Sequence, residues 1–135
     1  MKKNEIPKWF LDALAQKPDI KTVKIKGSKI SYNCWGEKNK PGLIFVHGGM
    51  AHADWWNFIT PYFLKTHRVI AMNLGGMGDS EWRKEYSTET WGLEIEGVCK
   101  KEKLKKPIIA GHSLGGMCSV LAASTMKKEL YGLVI

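Results

Sequence analysis

Ile108-Ile109-Ala110-Gly111-His112-Ser113-Leu114-Gly115-Gly116 sets a serine in a Gly-x-Ser-x-Gly frame between an apolar run and small residues. A serine hydroxyl is a weak nucleophile until a base takes its proton. A sharp strand-to-helix turn lifts that hydroxyl clear of a sheet, and glycines on both sides remove side chains that would strike neighbouring backbone. The next backbone N–H, that of Leu114, then faces the place where negative charge develops in acyl transfer, at the positive end of a helix. Upstream, His47-Gly48-Gly49-Met50 follows the apolar run Leu43-Ile44-Phe45-Val46. This segment offers a second oxyanion donor, the N–H of Gly49 first and that of Met50 as the alternative. Each such donor typically contributes about 3 kcal/mol of transition-state stabilisation.

The partners of the serine are harder to find. After Ser113 there is no Asp and no His, and Glu129 is the one carboxylate side chain. Of the four histidines, His112 adjoins Ser113, but strand alternation predicts that it points into the fold. His47 belongs to the glycine loop, and His67 opens a strand at the opposite edge. His52 stands near the mouth of the site and is expected to touch substrate rather than act as base. Met50 and Trp56 join it as expected substrate contacts, with Trp55 and Trp82 divided between cleft and core. Asp54 is expected to cap a helix and Asp79 to order its loop. No metal or cofactor is expected. His47 and His52 lack ligand spacing, Gly76-Met77-Gly78-Asp79 lacks the third glycine of a dinucleotide fingerprint, and no phosphate-binding Gly-Lys-Ser/Thr is present.

Positioning these groups requires a particular order of elements. Ile6 to Ala15 has helical apolar spacing and ends before Pro18. Thr22–Lys26 and Lys29–Trp35 alternate apolar and polar residues around Gly27-Ser28, which predicts a hairpin with one buried face. Leu43–Val46 and Arg68–Met72 are continuous apolar runs, as in strands covered on both faces. Between them a helix over Trp55–Leu64 is expected, kinked at Pro61. Thr88 to about Lys103 and Leu114–Lys128 predict two further helices, and Leu130–Ile135 a last strand. The expected fold class is α/β: a mostly parallel sheet with helices on both faces and an N-terminal antiparallel hairpin.

Three motifs together resemble the N-terminal portion of the α/β-hydrolase fold family. His47-Gly48-Gly49 resembles its HG-x loop, and Asn73-Leu74-x-Gly76-x-Gly78-x-Ser80 its D-x-x-G-x-G-x-S turn, with Asn73 in place of Asp. Gly111-His112-Ser113-Leu114-Gly115-Gly116 resembles its elbow. The resemblance implies one incomplete domain, with residues 1–20 an N-terminal helical segment and 21–135 carrying about six of eight core strands. It implies Ser113 as nucleophile, Gly49 and Leu114 as oxyanion donors, and a small carboxylic ester as substrate. It also implies that the acid and base lie in regions not found here. Relatives acting on epoxides or haloalkanes carry Asp at the elbow, so Ser113 favours acyl transfer. The alternative is a non-catalytic chain that keeps the fold core as a binding module.

Bulk properties bound the rest. The chain has 135 residues and a formal charge of +8, nearly all from lysine, since Arg68 and Arg83 are the only arginines. A lysine surface without arginine clusters predicts no nucleic-acid partner. Lys100-Lys101-Glu102-Lys103-Leu104-Lys105-Lys106 is expected to be a solvated helix end. No run approaches a membrane span, and Cys34, Cys99 and Cys118 cannot all pair, so a cytoplasmic protein without a membrane partner is expected. The apolar last strand is expected to leave an open edge and promote self-association.

Overall fold

The computed structural model describes residues 6–135; residues 1–5, part of the expected N-terminal segment, lie outside the described residues. Helix α1 spans Lys8–Ala15 and the hairpin strands β1 and β2 span Asp19–Ile25 and Ser28–Trp35. Strands β3 (Gly42–Val46), β4 (Arg68–Met72), β5 (Ile108–Gly111) and β6 (Gly132–Val134) follow, with α2 (Thr88–Lys101) and α3 (Leu114–Met126) on the crossovers. The six strands form one sheet in the order β1-β2-β4-β3-β5-β6. The β1–β2 and β2–β4 pairings are antiparallel, while β3 pairs parallel with β4 and β5, and β5 with β6. The result is a mixed sheet.

The two-residue turn between β1 and β2 places Lys26 at φ 47° and Gly27 at φ 83°. That conformation matches the strand twist and fixes the register opposite Ser28. β2 is buried along nearly its whole length, not on one face as expected. The reason is its place in the sheet, since β4 continues beyond it and both of its faces are covered.

Alternation along β3 divides the core. Ile44 and Val46 face the side covered by α2 and α3, with Ile70, Ile95, Val98, Ile109 and Ala122. Leu43 and Phe45 face the other side, with Trp35, Val69 and Ala71. The expected helix over Trp55–Leu64 is instead two short 3₁₀ segments, Ala53–Trp56 and Thr60–Phe63. Pro61 lacks the N–H that a continuous α-helix would require. Asp54 makes no capping hydrogen bond; its Oδ1 accepts from the side-chain amides of Asn33 (2.9 Å) and Asn57 (3.0 Å).

The three cysteines are free and buried. Burial pushes Cys34 and Cys118 up to about 11 and Cys99 up to about 12. Among the described residues no helix is long and apolar enough to cross a membrane.

Candidate active site

The parallel strands β3, β4 and β5 bring three loops to their shared C-terminal edge: residues 47–52, 73–80 and 112–113. Ser113 sits there at φ 53°, ψ −119°, immediately before α3. An L-residue avoids this region, and such strain persists only where the surrounding structure enforces it. Here the enforcement comes from both sides. The His112 N–H donates to the Val46 carbonyl at 3.0 Å, which ties the turn to β3. A Cβ on Gly111 would meet the Gly115 carbonyl oxygen and Ser119 Oγ, and one on Gly115 would strike the His47 and Val46 carbonyls. Strand end and helix start therefore approach more closely than side chains permit, and Ser113 is left exposed at the apex.

The glycine loop lies against this apex. A Cβ on Gly48 would be 3.3 Å from Ser113 Cβ and 2.9 Å from His112 Nδ1, and one on Gly49 would be 3.8 Å from Leu114 Cδ2. The Ala51 N–H closes the loop onto the Gly48 carbonyl, with Met50 at φ 61° and almost wholly exposed. His47, fully buried, holds the loop from beneath. Its Nδ1 donates to the Gly48 carbonyl at 2.7 Å, and its Nε2 accepts the Leu74 N–H at 3.1 Å. Burial pushes its pKa below the usual value, against the opposing effect of the Gly48 hydrogen bond. This donor–acceptor pattern requires the neutral ring.

Asn73 anchors the third loop. Its Oδ1 accepts the Ala53 N–H at 2.7 Å, and its Nδ2 reaches Ser31 Oγ at 3.4 Å. The amide keeps the acceptor a carboxylate would offer and adds a donor. Ser80 Oγ donates to the Asn73 carbonyl and accepts the Ser31 N–H. The loop is thus ordered by Asn73 and Ser80; Asp79 is exposed and lines a polar hollow of ≈ 340 Å³ with His52, Asp54, Asn33 and Asn73.

Sequence-based placement of several side chains changes. His112 is exposed, its ring 6.0 Å from that of Trp55, rather than turned into the fold. β5 ends at Gly111, so strand alternation no longer governs the next residue. Trp56, expected at the substrate, stacks on Phe45 at 4.7 Å within the core of one sheet face. Trp55 and Trp82 are 54% and 81% exposed and do not belong to the core. Neither the hydrogen bonds of His47 and His67 nor the His52–Asp54 approach at 3.7 Å involve Ser113.

Two buried ion pairs were not visible in the sequence. Glu94, fully buried on α2, accepts the Gly75 N–H at 2.7 Å and two bonds from Arg83 at 2.8 and 3.0 Å. Arg83 also donates to the Ile25 and Lys26 carbonyls, so it clamps the 73–87 loop to the hairpin. Glu102 turns inward from the lysine run and accepts from Arg68 (2.6 Å), Tyr32 (2.8 Å) and Lys21 (3.2 Å). The available signal was scarcity: both arginines of a lysine-rich chain take buried carboxylates, as their planar fork favours.

The family profile described as "alpha/beta hydrolase fold" matches residues 41–135. The chain is 25% identical over 118 residues to "Uncharacterized hydrolase YugF" of Bacillus subtilis (strain 168), covering 86% of this chain and 43% of that protein. It is 25% identical over 116 residues to human "Epoxide hydrolase 4", covering 84% of this chain and 32% of that protein. Among solved structures, "Thioesterase Domain From Curacin Biosynthetic Pathway" superimposes with a TM-score of 0.78 at 25% identity, covering 86% of this chain and 43% of that one. The chain spans less than half the length of these relatives.

Proposed function

The chain belongs to the α/β-hydrolase fold family, and from that membership we propose that it carries the nucleophile half of a serine hydrolase acting on a small carboxylic ester. The observation that carries this reading is the strained, exposed backbone of Ser113 set against the Gly48-Gly49 loop. Ser113 Oγ attacks the ester carbonyl, the ester C–O bond breaks, and the alcohol leaves with the serine proton, which gives an acyl-enzyme. The N–H groups of Gly49 and Leu114 receive the oxyanion, and water releases the acid. Met50 and His52, at the rim, contact the substrate. A serine hydroxyl at the elbow, rather than the carboxylate that opens epoxides, favours acyl transfer over the reaction named for the human relative. The reaction as proposed runs without a cofactor, in a cytoplasmic protein.

The proton from Ser113 needs a base, and no described histidine bonds to it. Loss of the base alone costs such enzymes on the order of a million-fold in turnover. The oxyanion site and binding retain roughly a thousand-fold over water. The 135-residue chain is therefore expected to cleave an activated ester such as p-nitrophenyl acetate feebly, with slow acetylation of Ser113 visible by mass spectrometry and absent from Ser113→Ala. Acetylation that survives Ser113→Ala, or turnover that matches an ordinary esterase, overturns the assignment.

A second reading rests on the same missing contact. The chain then serves as a binding module that keeps the hydrolase core without chemistry. Wild type and Ser113→Ala both indistinguishable from buffer would favour it.

A further inference from the structure

A separate hollow lies where α2 ends and the chain turns toward β5. It encloses ≈ 520 Å³, a size suited to a small molecule, and its walls include Lys21, Thr22, Lys38, Lys101, Glu102 and Lys103. Lys21 is committed to Glu102, which Arg68 and Tyr32 also hold. The Glu102 carboxylate that lines the hollow is therefore already neutralised. Lys38, Lys101 and Lys103 form no ion pair among the described residues. Three unpaired lysines lining one hollow give it a positive potential that favours an anion.

The Leu104 N–H returns to the Cys99 carbonyl at 3.0 Å and the Lys103 N–H to the Lys100 carbonyl at 3.1 Å, which closes α2 in a Schellman turn. Lys103 is the left-handed residue of that turn, at φ 54°. Glycine fills this position without strain; a lysine accepts the strain and gains a side chain that lines the hollow. The negative pole of the helix accounts for Lys101 in the last turn. It accounts neither for Lys38, on the segment between β2 and β3, nor for Lys103, beyond the helix end.

The geometry points to a binding site for a small molecule bearing a diphosphate or triphosphate group. A terminal phosphate carries up to about two negative charges and the phosphate it is bridged to carries about one, so a terminal diphosphate matches three unpaired ammonium groups. Lysine serves phosphate as a point charge, without the planar fork that a carboxylate prefers. Thr22 places a residue with a hydroxyl donor in the same wall.

Calorimetric titration of the full chain with sodium tripolyphosphate, at ionic strength fixed with sodium chloride, tests this. One site is expected, at least tenfold tighter for tripolyphosphate than for sulfate. Lys103→Gly is expected to weaken binding threefold or more while its Tm rises, because the substitution relieves the turn and removes the charge. Lys38→Gln is expected to weaken binding similarly with Tm unchanged. Adenosine triphosphate binding more tightly than tripolyphosphate identifies a nucleotide source, and equal binding a free polyphosphate; both support the site. Tripolyphosphate no tighter than sulfate, or Lys103→Gly with wild-type affinity, overturns it.

Discussion

Ser113 holds a backbone conformation that its own side chain disfavours, and the fold supplies the energy to keep it there. Strain stored at one residue has a measurable sign. Ser113→Gly is expected to raise unfolding free energy by about 1 kcal/mol, the relief of strain less the added entropy of an unfolded glycine. Urea titration checks this, and a destabilised variant would mean that the turn is not strained. The elbow was legible because its glycines encode close backbone approach, and Gly111 and Gly115 both meet main chain where a Cβ would stand. His112 was misplaced because alternation was extended one residue past the end of β5. The roles of Arg68 and Arg83 were not legible. Their carboxylates, Glu102 and Glu94, lie 34 and 11 positions along the chain, and no local pattern links such partners.

At the scale of elements, apolar runs identified β3, β4 and β5, and the N-cap Ser87, which accepts the Thr90 N–H, begins α2. The segment over residues 53–63 defeated pattern reading. Its apolar spacing suits a helix, but Pro61 and the pull of Asn33 on Asp54 leave only short 3₁₀ turns. The end of α2 shows how an element is fastened. Burial pushes the Glu102 carboxyl up, but hydrogen bonds from Arg68, Tyr32 and Lys21 outweigh it and hold it at about 2. A carboxyl held below its usual value near 4.3 stabilises the fold fully above that pH and loses the contribution as pH falls through about 2. Glu102→Gln is accordingly expected to cost about 3 kcal/mol at pH 7, since it strips Arg68 of its buried partner. The gap between variant and wild type should close between about pH 4.5 and pH 2. Urea melts across that range measure it, and a gap independent of pH would refute the role of the charge.

For the whole molecule, alternating strands and helices announced an α/β architecture, but nothing local disclosed the order β1-β2-β4-β3-β5-β6. Strand order is decided by which faces find cover, and that is a property of the assembled core. β6 lies at one edge of the described sheet, with Val134 and Ile135 exposed, as are Met117 and Val120 of α3. An uncovered apolar edge recruits further strands. The chain alone is therefore expected to self-associate through β6, with a light-scattering mass that grows with concentration, and Val134→Lys to suppress that growth. A monomer at every concentration would count against pairing at this edge. The interior has a different use. Only the thiolate attacks an alkylating reagent. Cys34, on β2, Cys99, on α2, and Cys118, on α3, are sealed and held protonated at neutral pH, so each reacts only when its own element opens. The fold thus carries three internal clocks. Their relative rates of modification would reveal whether sheet and helices come apart together or in sequence.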